Sequence, residues 1–212
     1  MSEPKIVIEV CKTQSQRMDV LRLRDSVYVQ DQGRLSQEID MSETFDRYDS
    51  QAVYLLGYLQ EKPIAAIKII QDGVLGLPSE GQVDISRLRA AGNVVEFGHL
   101  ITERQYRQNG YGLSMMKAAL DFAYNTFKTR YIIGDFFAQS DSKSGYHPLY
   151  HQIGFQPISA IYHDNRFVNA PESIVGALDI YECIESVASK KADNNHLKEF
   201  FFSDLESRRS VF

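Results

Sequence analysis

The stretch "YRQNGYGLSMM", Tyr106 to Met116, decides the fold. Gly110 and Gly112 stand two apart, Arg107 lies three residues before the first, and an apolar series with helical spacing follows. Upstream, "VVEFGHLI" (94–101) reads as a strand from its β-branched and aromatic content. Downstream, Leu113, Met116, Leu120, Ala123 and Phe127 recur every three or four residues, which predicts a helix over 112–127. A glycine turn between strand and helix can cradle an anion, because the first helical turn has free N–H groups and a partial positive charge. Glycine permits the close approach. The plainer reading is a helix-entry turn.

Two phosphate-binding alternatives fail on composition. A P-loop needs a lysine after its second glycine, and a dinucleotide turn needs a third glycine where Met115 stands. What remains is R-x-x-G-x-G, Arg107 to Gly112. Further on, "LYHQIGF" (149–155) places Tyr150 four residues before Gly154-Phe155. Together the two motifs resemble the GNAT superfamily of N-acyltransferases. The resemblance implies an α/β (α+β) fold with a mixed, mostly antiparallel central sheet, a V-shaped split and helices on both faces. It implies an acyl-CoA or acyl carrier protein thioester as co-substrate, with pyrophosphate on the amides of Gln108, Asn109, Gly110, Tyr111 and Gly112 beside Arg107. The pantetheine arm would pair with Leu100, Ile101 and Thr102. Direct attack by an amine follows, with no covalent enzyme intermediate and no metal.

An ammonium with a pKa near 10 must lose a proton before it attacks a thioester, so a base beside the strand is needed. Glu96 is the first candidate, acting directly or through water; a salt-bridged glutamate is the alternative. His99 is the second candidate, although a histidine in a strand is more often a satisfied structural residue. Regular alternation puts Glu96 and His99 on opposite faces, and a bulge would bring them together; the resemblance implies a bulge near here. Tyr150 matches the family tyrosine that protonates the departing thiolate. A packed core tyrosine is its alternative.

In the first half, "KIVIEV" (5–10) reads as a strand. Val20, Leu23 and Val27 predict a helix over 15–30, with Arg24 and Tyr28 on the adjacent stripe. A long polar connection (31–50) carries Asp46 and Asp49, and "AVYLLGYL" with "IAAIKII" predicts an antiparallel pair bearing Lys68. Arg24, Tyr28, Asp46, Asp49, Lys68 and Glu96 resemble the pattern of N-acyl amino acid synthases and acyl-homoserine lactone synthases. Departures are the absence of tryptophan, His99 in place of an arginine, and a longer stretch over 139–147 that alters contacts to the adenosine end. Physically, an inward Arg24 needs a partner, and Asp46 or Asp49 can supply it, pinning the loop to the helix. Alternatively the loop forms an acceptor pocket, its acids suiting an amine and Arg24 or Lys68 suiting a carboxylate.

The remaining elements are a short helix over 83–91, a buried strand at "YIIGDFFA" (131–138), a short helix at "HPLYHQIGF", and a hairpin from "QPISAIYH" and "IVGALDIYECI". After a break at "DNNH", the helix "LKEFFFSDLESRR" closes over an acyl chain, binds a partner or, the favoured reading, completes the core. The expected organisation is a GNAT domain over 1–185 and a helical extension over 186–212 packed on it.

At 212 residues, with 43% hydrophobic and 24% charged residues, the chain suits one folded domain. A net charge of −5 without a basic block excludes an ordinary nucleic-acid binder. No apolar run reaches membrane-span length, and the start lacks a secretion signal, so the expected location is the cytoplasm. Cys11 and Cys183 lack metal-ligand spacing and read as packed thiols. The expected partners are a small-molecule amine, an amino acid among the options, and in one alternative acyl carrier protein; self-association is left open. A different class, a non-catalytic acyl-CoA sensor, would keep the cradle without turnover.

Overall fold

The computed structural model describes residues 5–139, 147–165, 167–189 and 195–209, the last four without their side chains. Most of the long stretch before Tyr150 (140–146) and residues 193–194 of the "DNNH" break lie outside the described residues.

Among the described residues, seven strands form one sheet in the order β1-β2-β3-β4-β5-β7-β6. They are β1 (Val7–Val10), β2 (Ala52–Leu59), β3 (Lys62–Gln71), β4 (Asn93–Thr102), β5 (Thr129–Phe137), β6 (Gln156–Pro157) and β7 (Ser173–Asp179). Every pairing is antiparallel except β4 with β5. The helices are α1 (Gln14–Arg24), α2 (Ser86–Ala91), α3 (Tyr111–Phe127), α4 (Pro148–Ile153), α5 (Ile180–Ala188) and α6 (His196–Arg209). This is the mixed sheet expected of a GNAT fold.

Amphipathic spacing decides which helix covers which face. Val20, Leu23 and Val27 of α1 and its continuation pack on Tyr54, Leu56, Ala66 and Ile101. On the opposite face, Met115, Met116, Ala119 and Leu120 of α3 pack on Leu55, Ile67 and Phe97, joined by Cys183 of α5 and by Phe201, Phe202 and Leu205 of α6. The C-terminal helix therefore contributes fully buried aromatics to the core. Among the described residues, no helix is long and apolar enough to cross a membrane.

Two sequence expectations need correction. "IVGALDIYECI" is not one strand: β7 stops at Asp179, whose carboxylate accepts N–H bonds from Tyr181 and Glu182 at 2.9 and 3.2 Å and so caps α5. "QPISAIYH" contributes only β6 and a single bridge between Tyr162 and Ser173, because the Ser159 hydroxyl takes the Val175 N–H. The first helix also changes pitch. It is α-helical to Arg24 and then widens into π-helical turns over Asp25–Asp31, a form that often marks a functional segment.

Candidate active site

Parallel pairing between β4 and β5 runs from Asn93–Thr129 to Phe97–Gly134 and stops. Beyond that point β4 pairs only with β3, and β5 only with β7. The two strands splay apart, and a cavity of about 520 Å³ opens between them. Its walls include Val27, Ile67, Phe97, Met116 and Phe136, so much of it is apolar.

At the end of β4 the chain enters α3 through the glycine turn. Gln108 and Gly110 have φ of 66° and 75°, a left-handed pair that gathers successive amides, and Gly110 needs that conformation. Gly112 is different. A Cβ there would meet only Thr102 Oγ1, at 3.8 Å, so internal packing does not demand glycine. Around Gly110 and Gly112 the structure leaves room that neighbouring atoms do not fill closely. Arg107 is more constrained than a free anion donor, since its Nε donates to the Thr102 carbonyl at 3.0 Å and its Nη2 lies 2.6 Å from Asp31.

The bulge is present. Lys68 pairs with Gly98 and Ala66 with Ile101, so β4 carries one residue more than β3 across this interval, and His99 has φ of 49°. That extra residue resets the alternation, and Glu96 and His99 both line the cavity. Glu96 is 4% exposed and accepts an N–H bond from Ser79 at 2.9 Å. His99 Nδ1 lies 3.1 Å from the Tyr28 hydroxyl, which ties the bulge to the π-helical turn. Tyr150 of α4 lines the same cavity, its ring 4.3 Å from that of Phe136. Burial raises the Tyr150 pKa, so its hydroxyl stays protonated at neutral pH.

The early acids and cations form one linked network. Arg24 is fully buried, as its stripe suggested, but neither acid is its partner. Its Nη1 donates to the Thr44 carbonyl at 2.7 Å and hydroxyl at 2.9 Å, and its Nη2 donates to the Tyr54 hydroxyl at 2.7 Å. The Tyr54 hydroxyl in turn donates to Asp49 at 2.5 Å. Lys68, also fully buried, donates to Asp46 and Asp49 at 2.9 and 2.8 Å. Two cations thus balance two carboxylates in a low-dielectric site. Burial raises the Asp49 pKa, but hydrogen bonds from Lys68 and Tyr54 outweigh it and hold the carboxyl below its ordinary value. Only Asp46, with 39% of its side chain exposed, reaches the cavity. Arg24 and Lys68 face inward to protein partners.

A second cavity of about 620 Å³ meets the first at Asp46, Glu96, Asp135 and Asp164. Four carboxylates therefore stand at the junction. Asp135 lies two residues beyond Ile133, the register partner of Glu96, and so shares its face of the sheet. Among the described residues, no group of three or more His, Cys, Asp or Glu is arranged to hold a metal.

The fold has known counterparts. The family model for the N-acyl amino acid synthase FeeM matches residues 19–176, most of the chain and nearly all of the sheet. The chain belongs to the FeeM family. The solved structure of FeeM, from uncultured soil microbes, superposes with a TM-score of 0.69 at 21% identity, covering 86% of this chain and 94% of that one. A CoA-dependent acyl-homoserine lactone synthase, BjaI, solved with SAM and isopentyl-CoA, gives 0.58 at 15% identity over 82% and 83%. An acyl-CoA N-acyltransferase from Pseudomonas aeruginosa gives 0.56 at 17% identity over 82% and 99%. No curated protein matches the sequence. As a FeeM-family member the chain is a GNAT-fold N-acyltransferase, which displaces the sensor alternative.

In this FeeM-family chain, sequence reasoning missed Tyr54, Thr44, Ser79, Asp135 and Asp164. Asp135 had left a signal, an acid inside the otherwise apolar run "YIIGDFFA". The others are joined only by the fold.

Proposed function

We propose that the protein is an N-acyl amino acid synthase that moves an acyl group from a thioester to the amine of an amino acid by direct attack. The observation that carries this is the meeting of Glu96, His99 and Tyr150 on one cavity where β4 and β5 part. Glu96 removes the ammonium proton, with His99 as the second candidate. At the same junction the part-exposed Asp46 carboxylate keeps an oxygen that can accept a hydrogen bond from an amine on its way in.

The donor is acyl-CoA, a reading supported by the glycine turn: amides at a helix entry suit a pyrophosphate, which coenzyme A has and the single-phosphate arm of an acyl carrier protein lacks. Gly112→Val should weaken coenzyme A binding about tenfold or more, the loss of one charge-assisted contact. Its thermal midpoint should stay near that of the wild type, because a Cβ there makes only an ordinary contact with Thr102 Oγ1. A calorimetric titration with unchanged affinity would remove the cradle role.

At Tyr150 the raised pKa lies above the roughly 8.5 of a thiol, so the hydroxyl stabilises the departing thiolate as a hydrogen-bond donor and solvent supplies the proton. Tyr150→Phe should lower kcat about 10- to 100-fold with little change in donor KM. Equal kcat in steady-state assays would return Tyr150 to a packing role.

The whole reading is tested by incubating the purified chain with acetyl-CoA, decanoyl-CoA or decanoyl acyl carrier protein and all twenty amino acids, followed by mass spectrometry. N-decanoyl amino acid from decanoyl-CoA is expected. Acylation of simple amines alone would sink the amino acid assignment, and product from the carrier protein alone would sink the donor assignment.

A further inference from the structure

An amino acid acceptor brings a carboxylate, and the cations the sequence offered for it are committed elsewhere. Lys68 and Arg24 are fully buried on internal partners, and Arg107 holds Asp31. Arg34 is the exception. Its guanidinium carbon lies 4.0 Å from the Phe137 ring centroid at the end of β5, and the residue lines the split cavity. Among the described residues, no carboxylate stands at ion-pair distance from Arg34. Arg104 and Arg107 already share Asp31, at 3.5 and 2.6 Å, so three arginines face one aspartate at this rim. That is a local excess of positive charge in a chain of net charge −5.

The backbone fixes where Arg34 stands. Its N–H donates to the Tyr28 carbonyl at 2.7 Å, and its carbonyl accepts from Val168 N–H at 3.0 Å. Asn169 donates to the neighbouring Gly33 carbonyl at 3.1 Å, and Phe167 packs edge-on against Tyr28 at 5.6 Å. The loops after Asp31 and around residues 167–169, far apart in sequence, thus meet at Arg34, whose backbone is pre-organised. Burial lowers its pKa, and the charge of Arg107 pushes the same way against Tyr28 and Asp31. A guanidinium nonetheless stays charged in a protein, and a bound anion would relieve both effects.

Position separates two anions. The turn at residues 108–112 does not line this cavity, whereas Tyr28 and His99 at the bulge do. Arg107 borders the cavity as well, but Arg34 is joined by its backbone to Tyr28, whose hydroxyl meets His99, which sets it on the bulge side of the thioester. We propose that Arg34 binds the carboxylate of the amino acid acceptor and holds its amine toward the β4 bulge; this rests on the synthase reading above.

The test uses the full chain and two probes without an acceptor side chain, N-decanoylglycine and N-decanoylglycinamide, in calorimetric titrations. Wild type should bind the acid about tenfold or more tighter than the amide, the range of a charge-assisted pair. Arg34→Gln should weaken the acid alone and erase the difference, and Arg34→Lys should retain part of it. The thermal midpoint of Arg34→Gln should fall only slightly, since the stacking on Phe137 is lost but no ion pair is, which separates lost binding from lost folding. Failure of the acid to bind wild type, equal wild-type affinities, or an acid preference surviving Arg34→Gln overturns the assignment. So does weaker coenzyme A binding with the acid preference intact, which would put Arg34 on the donor. The synthase reading fails separately, if the probes show the Arg34-dependent preference but no amino acid is acylated by any thioester.

Discussion

Glu96→Gln should lower kcat about 10²- to 10³-fold while leaving donor affinity in place, the range expected when a general base is removed. The substitution is nearly isosteric, and the glutamine carbonyl can still accept the Ser79 N–H, so the turn at Pro78–Gly81 keeps its anchor. What is lost is the ability to take a proton. The defect should therefore shrink as pH rises and the attacking amine deprotonates unaided, giving a steeper pH–rate profile than wild type. His99→Gln is the matched control: it breaks the bond to Tyr28 but leaves the carboxylate, so its loss should be smaller. Steady-state kinetics with a fixed saturating donor decide the matter. A Glu96→Gln enzyme with more than about a tenth of wild-type kcat, or a larger loss in His99→Gln, would move the base role to the histidine.

The contrast between donor and acceptor ends explains what the sequence made legible. The turn proposed for the donor is local: Arg107, Gly110, Gly112 and the α3 stripe lie within one strand–turn–helix unit, so periodicity and glycine placement locate it together. The bulge was harder, because alternation alone puts Glu96 and His99 on opposite faces, and only the register against β3 shows the extra residue. α5 was misread because Ile180, Cys183 and Ile184 extend the apolar run of β7, and the switch depends on the cap at Asp179. The acceptor side is assembled from distant positions. Arg24 reaches Thr44 and Tyr54 rather than an aspartate, and Asp164 joins Glu96 from a loop with no periodic signal at all.

Lys68→Met carries the largest expected cost in stability, about 3–5 kcal/mol, the range for breaking a buried ion pair from one side. Asp49 is only 8% exposed at its side chain, and without Lys68 its charge would keep just the Tyr54 hydroxyl and the Asp46 N–H. For a chain of this length the loss corresponds to a fall in thermal midpoint on the order of 10 °C. Its pH dependence has a definite sign. In wild type the Asp49 pKa is depressed below 3.8, so its contribution is complete above that value and is lost as pH falls through the lower folded pKa. In the variant, burial is opposed by fewer partners and the folded pKa rises, so the folded state takes up a proton before the unfolded chain does. The gap between the two proteins should therefore narrow from pH 7 toward pH 4. Asp49→Asn combined with Lys68→Met should recover part of the loss, a coupling that a double-mutant cycle measures. Denaturant titrations showing equal stability, or a gap that widens on acidification, would refute the buried network as the anchor of this loop. The same network holds Asp46 at the junction of the two cavities, so the variant should also show a raised acceptor KM with coenzyme A affinity unchanged. Fold stability and acceptor geometry would then share one lysine, while the turn proposed as the donor cradle, held by β4 and α3, would stand apart from it.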